Sequence, residues 1–283
     1  MIQQITIVGT GSIGGSVALG LRKYGFSGRI VGCDRQSILD ATIARGAIDT
    51  GIVEPEHAVR GSDVVVLATP VGAIIDYIER LGPVLPPQVL LTDVGSTKRE
   101  ILARARAVFG DESPRRFLAG HPMAGRERHG IDYADADMFK SAVWLVTPQN
   151  GQDIHHGTAG EYLGLIAGIV GKIVCMDADD HDRVCAWISH LPQMVSTALA
   201  GTVADELGND PALMAIGGRA LREMTRTAAS SYSMWRDIAL TNADNIEQAI
   251  QRLEQHLAHI RENLKTGELR EQFERANQFA SSK

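Results

Sequence analysis

The sequence has few cysteines, no long hydrophobic run and no excess of basic residues. Its three cysteines, Cys33, Cys175 and Cys185, are odd in number and lack CxxC spacing, so they predict buried thiols rather than a disulfide framework or a zinc site. The longest apolar run, residues 64–75, is interrupted by Pro70 and is far shorter than a bilayer-spanning helix. We therefore expect no membrane segment and no metal.

Acidic residues exceed basic ones, with 34 Asp and Glu against 28 Lys and Arg and a formal net charge of −6. The first 150 residues carry 16 of each sign, so the whole excess lies in the remainder. Proteins that bind DNA or RNA normally show a basic face, so we expect no nucleic-acid partner, and an anionic ligand must be bound by local arginines. Residues 1–8 lack the basic stretch and cleavage motif of a secretory signal, so we expect a cytoplasmic protein.

Residues 1–147 alternate short apolar runs with helical stretches. Polar residues do not alternate with apolar ones in these runs, which is typical of strands buried on both faces of a parallel sheet. The runs cover residues 5–8, 30–33, 64–68, 89–92, 117–119 and 143–146. Helices between them make the connections right-handed crossovers, so the pattern predicts an α/β fold with a Rossmann-type doubly wound sheet in residues 1–150. From Asp153 onward the pattern turns helical, which predicts an all-helical substrate and dimerisation domain in residues 151–283.

Two helices are clearly patterned in this second part. Apolar residues recur every three or four positions over residues 184–199, and Pro192 should kink this helix because it removes the hydrogen bond to the Ile188 carbonyl. Residues 246–264 carry a seam of nearly three heptads that ends before Gly267. This seam either packs within the chain or contributes to a homodimer interface.

A glycine-rich turn follows the first predicted strand and precedes a helix. It has the spacing GxGxxG, with Gly9, Gly11 and Gly14 around Ser12 and Ile13. The first glycine permits the tight turn, the second lets a pyrophosphate approach the backbone, and the third lets helix and strand pack closely. Because free amides at a helix N-terminus attract phosphate, the turn predicts a bound dinucleotide. The alternative is a glycine-rich turn without a ligand.

Residues at two further strand ends extend the predicted cofactor site. Asp34 closes the second strand 20 residues after Gly14 and would bind both adenosine ribose hydroxyls while repelling a 2′-phosphate, which favours NAD. Arg35 could accommodate that phosphate, so NADP stays open as a cofactor. Thr69 and Pro70 end another strand at the same edge of the sheet, where they either line the ligand crevice or form an ordinary turn.

Polar residues also follow the strands that lead into DVGSTK, residues 93–98, and GHPMAGRE, residues 120–127. Taken alone, His121 is more typical of a structural histidine, and Ser96 is more typical of an N-cap for a helix that begins at Thr97.

These segments, together with SHLPQMVSTAL at residues 189–199 and EMTRTAASSYSMWRDI at residues 223–238, resemble the prephenate/arogenate dehydrogenase family of tyrosine biosynthesis. The resemblance covers nearly the whole chain. It implies a homodimeric, NAD(P)-dependent enzyme that oxidises and decarboxylates a cyclohexadienol. Hydride leaves ring carbon 4, the ring carboxylate departs as carbon dioxide, and the ring becomes aromatic.

The resemblance also implies roles for individual residues. His121 matches the family's catalytic histidine, which takes the proton of the 4-hydroxyl, and a neutral imidazole suits that task at neutral pH. Ser96 matches the serine that orients the same hydroxyl. Arg226 matches an arginine that binds a substrate carboxylate through its planar fork of donors.

Through the same resemblance, four further positions bear on the substrate site. His190 falls in the family's HLP segment. Glu127 matches an acidic position near the catalytic histidine, where it pairs with Arg226, shapes specificity or lies on the solvated surface. Gln193 stands where many members have a histidine, which bears on the choice between prephenate and arogenate. Glu223 stands where many have aspartate, which bears on how Arg226 is held.

Two other functions fit the sequence less well. β-Hydroxyacid dehydrogenases carry a catalytic lysine on a helix with an asparagine four residues later, whereas here Lys172 is followed by Met176. A catalytically silent NAD-binding sensor would have no need for Ser96, His121 and Arg226 together.

Overall fold

The computed structural model describes residues 1–124, 130–208, 210, 212 and 216–281. Eight strands form one sheet, and they are β1 Gln4–Val8, β2 Arg29–Cys33, β3 Thr50–Gly51, β4 Val64–Leu67, β5 Leu90–Asp93, β6 Phe117–Pro122, β7 Val143–Thr147 and β8 Lys172–Cys175. Their spatial order is β3-β2-β1-β4-β5-β6-β7-β8. The chain thus starts in the middle of the sheet, runs to one edge and then crosses to the other side, which confirms the predicted doubly wound fold.

Strand pairing places the carboxyl ends of the first strands at one edge of the sheet. β1 to β6 pair in parallel, β7 runs antiparallel to β6, and β8 is parallel to β7. Every residue of β4 and β5 is buried, as expected for a sheet covered on both faces. The loops that follow β1, β4, β5 and β6 therefore share the side on which open α/β sheets bind ligands.

Helices cover both faces of this sheet. They are α1 Ser12–Lys23, α2 Gln36–Ala44, α3 Pro55–Ala58, α4 Val71–Leu81, α5 Arg99–Phe109, α6 Ser113–Arg116 and α7 Gly157–Ile169. On one face α1 packs against α7, with Val17 and Tyr162 in the same buried cluster. On the other face α4 packs against α5, with Ile74 and Ile101 in a second cluster.

The sheet continues past residue 150, where the sequence predicts only helices. α7 lies on the sheet, and β8 adds a strand beside β7 before the chain becomes wholly helical. β3 was also missed, because a strand of two residues leaves no apolar run.

The remaining helices are α8 Ala178–Cys185, α9 Leu191–Leu207, α10 Gly218–Thr225, α11 Tyr232–Thr241, α12 Ala243–Glu262 and α13 Leu269–Ser281. A π-helical turn, Ala186–His190, joins α8 to α9. Pro192 lies in the first turn of α9 and has no N–H, so the predicted irregularity is present as this π turn just before it.

The helical part docks on the sheet part through α11. The Asp237 carboxylate accepts a hydrogen bond of 3.0 Å from the backbone N–H of Gly72, in the first turn of α4. A Cβ atom on residue 72 would lie only 2.8 Å from the Asp237 carboxylate oxygen, so the glycine permits this approach. The carboxylate also complements the positive end of the α4 dipole.

The two halves of the heptad seam differ in their burial, so each half fits a different one of the two interpretations, packing within the chain or contact with a partner. Ile246 is buried and Ile250 packs on the core, whereas Leu257 and Leu264 are more than half exposed. The helix also ends at Glu262, earlier than predicted. The first part of the seam therefore packs within the chain, and the second part is available to a partner.

The three cysteines differ in their exposure to solvent. Cys33 and Cys185 are buried thiols as predicted, but Cys175 is exposed, because it ends β8 at the edge of the sheet. Among the residues described, no helix is long and apolar enough to cross a bilayer.

Candidate active site

The glycine-rich turn has the geometry that its spacing predicts. Gly9 has a φ of +92°, and a Cβ there would lie 2.5 Å from the Ala68 carbonyl oxygen. A Cβ on Gly14 would lie 2.0 Å from the carbonyl oxygen of Gly9, so α1 can pack against β1 only with glycine at this position. A Cβ on Gly11 would meet no atom within 4 Å, which leaves the open approach that a pyrophosphate needs.

Asp34 lies beside this turn with its carboxylate held in place. It accepts hydrogen bonds of 2.8 Å from the backbone N–H groups of Thr10 and Arg35. A cavity of about 330 Å³ is lined by Asp34, Arg35, Gly9 and Thr69. Pro70 directly precedes α4 at the same edge. The structure thus brings the predicted ribose-binding residues together with the turn.

A second cavity, of about 430 Å³, opens between the sheet and the helical part. It is bordered by the glycine-rich turn, the loops after β5 and β6, α9 and the segment after α10. Its lining includes the predicted site residues Ser12, Ile13, Ser96, His121, His190, Gln193 and Arg226. The predicted cofactor turn and the predicted substrate residues therefore face one space.

His121 lies near the end of β6, where it lines this cavity, and is part of a buried hydrogen-bond chain. Its Nδ1 lies 2.9 Å from Nε2 of His181, and Nδ1 of His181 lies 2.8 Å from the Asp182 carboxylate. An ionised carboxylate can only accept, so Nδ1 of His181 carries a proton and its Nε2 accepts. Nδ1 of His121 is then the donor in this pair, and Nε2 of His121 is unprotonated and can accept a hydrogen bond or a proton.

The surroundings favour the neutral form of both histidines. Burial, followed by the neighbouring His181 and Lys98, holds the pKa of His121 well below 6.5. Burial also lowers the pKa of His181, against the opposing effect of Asp182. Burial alone would raise the pKa of Asp182, but hydrogen bonds from His181 and the backbone of Arg99 outweigh it and lower that pKa.

Asp182 also caps the helix that follows the Ser96 segment. The N–H groups of Lys98 and Arg99 donate to its two oxygens at 2.7 and 3.0 Å. α5 begins at Arg99 rather than Thr97, so the N-cap interpretation of Ser96 is wrong. Because Asp182 supplies the cap, the Ser96 hydroxyl remains available to the cavity it lines.

A buried ion pair joins the two loops that carry Ser96 and His121. The Lys98 ammonium contacts the Asp93 carboxylate and donates to the carbonyl of Gly120 at 2.8 Å, and both charged side chains are fully buried. Asp93 also accepts from the backbone N–H of Gly95 and Gly120. These contacts fix the end of β5 against β6 next to the histidine.

His190 and Gln193 present fixed polar atoms near the cavity. The Asn242 amide donates to Nδ1 of His190, so the His190 proton lies on Nε2, and burial lowers the pKa of this imidazole to about 4. Nε2 of Gln193 donates to the hydroxyl of Thr197 and the carbonyl of Thr227. A carbonyl can only accept, which fixes the amide orientation and leaves Oε1 of Gln193 as an acceptor.

Other predictions have mixed outcomes. Glu127 lies outside the described residues, so its placement stays a prediction. Glu223 pairs with Arg219 one turn earlier on α10. Lys172 lies on strand β8 rather than on a helix, which removes the β-hydroxyacid interpretation.

Sequence reasoning missed His181, Asp182 and the Lys98–Asp93 pair. The only available signal was the adjacency of a histidine and an aspartate near the start of a helix, and 60 residues separate His181 from His121.

Comparisons with known proteins agree with this geometry. Residues 17–158 match the family model "Prephenate dehydrogenase, nucleotide-binding domain", and residues 177–278 match "Prephenate dehydrogenase, dimerization domain". A prephenate dehydrogenase of Lactococcus lactis is 30% identical over 92% of this chain and 70% of its own length.

Two solved structures have the same fold over the whole chain. The prephenate dehydrogenase of A. aeolicus, in complex with hydroxyphenyl propionate and NAD⁺, has a TM-score of 0.84 and 29% identity, covering 100% of this chain and 96% of that one. The arogenate dehydrogenase of Synechocystis has a TM-score of 0.77 and 28% identity, covering 99% of each chain. The chain therefore belongs to the prephenate dehydrogenase family and is an oxidoreductase with a nucleotide-binding domain followed by a dimerization domain.

Proposed function

We propose that the chain catalyses the NAD-dependent oxidative decarboxylation of prephenate, of arogenate or of both. The observation that carries this proposal is the placement of His121. Its unprotonated Nε2 belongs to a cavity that also contains Ser96, Arg226 and the first turn of the dinucleotide-binding helix. A base, a carboxylate-binding group and a hydride acceptor would then meet in one space.

His121 acts as the base in this proposal. A bound NAD would supply the acceptor for the hydride that leaves ring carbon 4. The 4-hydroxyl becomes strongly acidic as the hydride departs, and Nε2 of His121 takes its proton. Ser96 orients the same hydroxyl, since a serine hydroxyl can donate one hydrogen bond and accept two. Loss of the ring carboxylate as carbon dioxide completes the aromatic ring.

Arg226 binds a substrate carboxylate across the cavity. It begins the short 3₁₀ segment after α10, in the helical part of the chain. A guanidinium can hold a carboxylate through two parallel hydrogen bonds, and it remains charged at every working pH. The positions of Asp34 and Gly11 support NAD, because the Asp34 carboxylate lies beside the glycine-rich turn and a Cβ on Gly11 would meet no atom within 4 Å.

The orientation of Gln193 supports use of arogenate. Prephenate and arogenate differ only in the side chain, which ends in a keto acid in one and an α-amino acid in the other. Both amide hydrogens of Gln193 are directed at Thr197 and Thr227, so the substrate would meet a carbonyl oxygen. An ammonium group can donate to this oxygen, whereas a keto oxygen cannot.

We further propose a homodimer formed through the helical part. The match of residues 177–278 to a dimerization domain supports it, and so do the exposed Leu257 and Leu264 of the seam.

The proposed activity can be tested by a four-way steady-state comparison, with prephenate and arogenate each assayed with NAD and NADP. We expect carbon dioxide and reduced cofactor to form in equal amounts with at least one substrate. Dinucleotide binding without turnover of either substrate would instead identify a catalytically silent sensor and refute the proposal.

A further inference from the structure

Three potential metal ligands lie together directly behind the cavity. His121, His181 and Cys185 form a cluster, which we call the HHC cluster, and it is almost completely buried. Nδ1 of His121 lies 2.9 Å from Nε2 of His181, and the Cys185 Sγ lies 4.0 Å from the first nitrogen and 3.7 Å from the second. Two imidazoles and a thiol are a ligand set that zinc prefers.

The spacing of the HHC cluster is close to that of a tetrahedral zinc site. Zn–N bonds of about 2.0–2.1 Å and Zn–S bonds of about 2.3 Å place the two nitrogens about 3.3 Å apart and each nitrogen about 3.6 Å from the sulfur. The observed separations of 2.9, 3.7 and 4.0 Å differ from these by about 0.4 Å or less. A small opening of the two imidazoles would therefore admit the ion.

The carboxylate that would orient one of the zinc ligands is already in contact with it. Histidines that bind a metal usually donate their other ring N–H to a carboxylate, which fixes the tautomer. Nδ1–H of His181 donates to Asp182, so Nε2 of His181 presents its lone pair without any rearrangement. We propose that the HHC cluster is an inhibitory zinc site, which binds Zn²⁺ through Nδ1 of His121, Nε2 of His181 and Sγ of Cys185.

Binding would disable the base without occupying the substrate pocket. A neutral His121 that binds the metal through Nδ1 must carry its proton on Nε2, so the nitrogen that faces the cavity becomes a donor and cannot accept the substrate proton. Cys185 binds as a thiolate, so one proton is released for each Zn²⁺ bound, and no oxidant or reductant is needed. The inhibition depends on the proposed role of His121, whereas the binding itself does not.

Zinc titration of the holoenzyme tests the proposal. Wild-type activity should fall on addition of ZnCl₂ and recover with EDTA. Cys185→Ala and Cys185→Ser should keep their basal activity. They should need more than about ten times as much zinc, because loss of even a residue that only orients a metal ligand costs roughly 10–100-fold in metal affinity. Cys175→Ala is the matched control, since its thiol lies on the surface, and it should retain wild-type sensitivity.

A second measurement does not depend on turnover. CoCl₂ added to the wild type and to Cys175→Ala should give the near-ultraviolet charge-transfer band of a cobalt thiolate, and neither Cys185 variant should show it. Absence of the band in the wild type, or equal zinc sensitivity in all four proteins, would overturn the proposal. If neither substrate is turned over, the cobalt spectra still decide whether the site binds metal, so failure of the proposed function is distinguished from failure of the site.

Discussion

Replacement of His181 by leucine removes the acceptor of the hydrogen bond from Nδ1 of His121. In the wild type this bond, 2.9 Å long and buried, holds the His121 proton on Nδ1 and leaves Nε2 unprotonated, as its proposed role as a base requires. Leucine accepts no hydrogen bond, so the N–H would be buried without a partner. The population of the His121 tautomer with its proton on Nε2 then rises relative to the tautomer with its proton on Nδ1.

The size of the effect follows from the cost of that unpaired group. A buried donor left without an acceptor costs about 1–3 kcal/mol, and about 1.4 kcal/mol corresponds to a tenfold change in rate. We therefore expect kcat of His181→Leu to fall roughly 5- to 150-fold. KM should change little, because Arg226 and Gln193 are untouched.

His181→Gln is the matched control. Its carboxamide can donate to Asp182 and accept from His121, so it should restore most of the lost kcat. In the wild type, kcat/KM should stay level as the pH falls through 6.5 and drop only at lower pH, where the imidazole of His121 takes up a proton and ceases to be a base. A leucine variant with unchanged kcat, or a glutamine variant no better than leucine, would refute the tautomer argument. Unchanged NAD affinity in each variant would show that the fold is intact.

Four further predictions concern residues that the sequence already suggested. His121→Asn should lower kcat by about 10²–10⁴ and leave NAD affinity unchanged in a binding titration, because the amide cannot take a proton; near-normal turnover would remove His121 from the mechanism. Arg226→Ala should weaken substrate binding by roughly 2–5 kcal/mol with dinucleotide binding intact, and equal loss of both would indicate misfolding. The wild type should use NAD more efficiently than NADP, because Asp34 repels a 2′-phosphate; the opposite ratio of kcat/KM values would show that Arg35 dominates. Gln193→His should shift the ratio of specificity constants toward prephenate, and an unchanged ratio would mean that Gln193 does not discriminate.

The elements of the sheet could be predicted where the pattern that marks them lies in one continuous stretch of sequence. β1 and the turn at Gly9–Gly14 were found because a buried apolar run and a fixed glycine spacing lie side by side in the sequence. β8 was not found, because its four residues begin with an exposed lysine and lie at the sheet edge, where the strand pattern is weak. The seam of α12 was found, but its pattern could not show that the first half is covered by the same chain.

The site was predictable only in part, for a related reason. Ser96 and His121 follow strands of one parallel sheet, so their convergence can be predicted from topology. His181 and Asp182 lie on α8, in the helical part of the chain, and no pattern in the neighbouring sequence marks them as partners of His121. The starting point of α5 was misjudged because its cap, Asp182, is about 80 residues distant in sequence.

Asp182 links the docking of the helical part on the sheet to the tautomer of His121. Its fully buried carboxylate accepts from Nδ1–H of His181 and from the N–H groups of Lys98 and Arg99. A buried carboxylate without such donors is strongly destabilising, so Asp182 can remain inside only when α5 and His181 are both in place. The carboxylate that helps to hold the helical part against α5 is therefore the same group that sets the tautomer of His181, and through it that of His121. It follows that a chain whose two parts are not docked would not hold the His121 proton on Nδ1, even if its glycine-rich turn were fully formed.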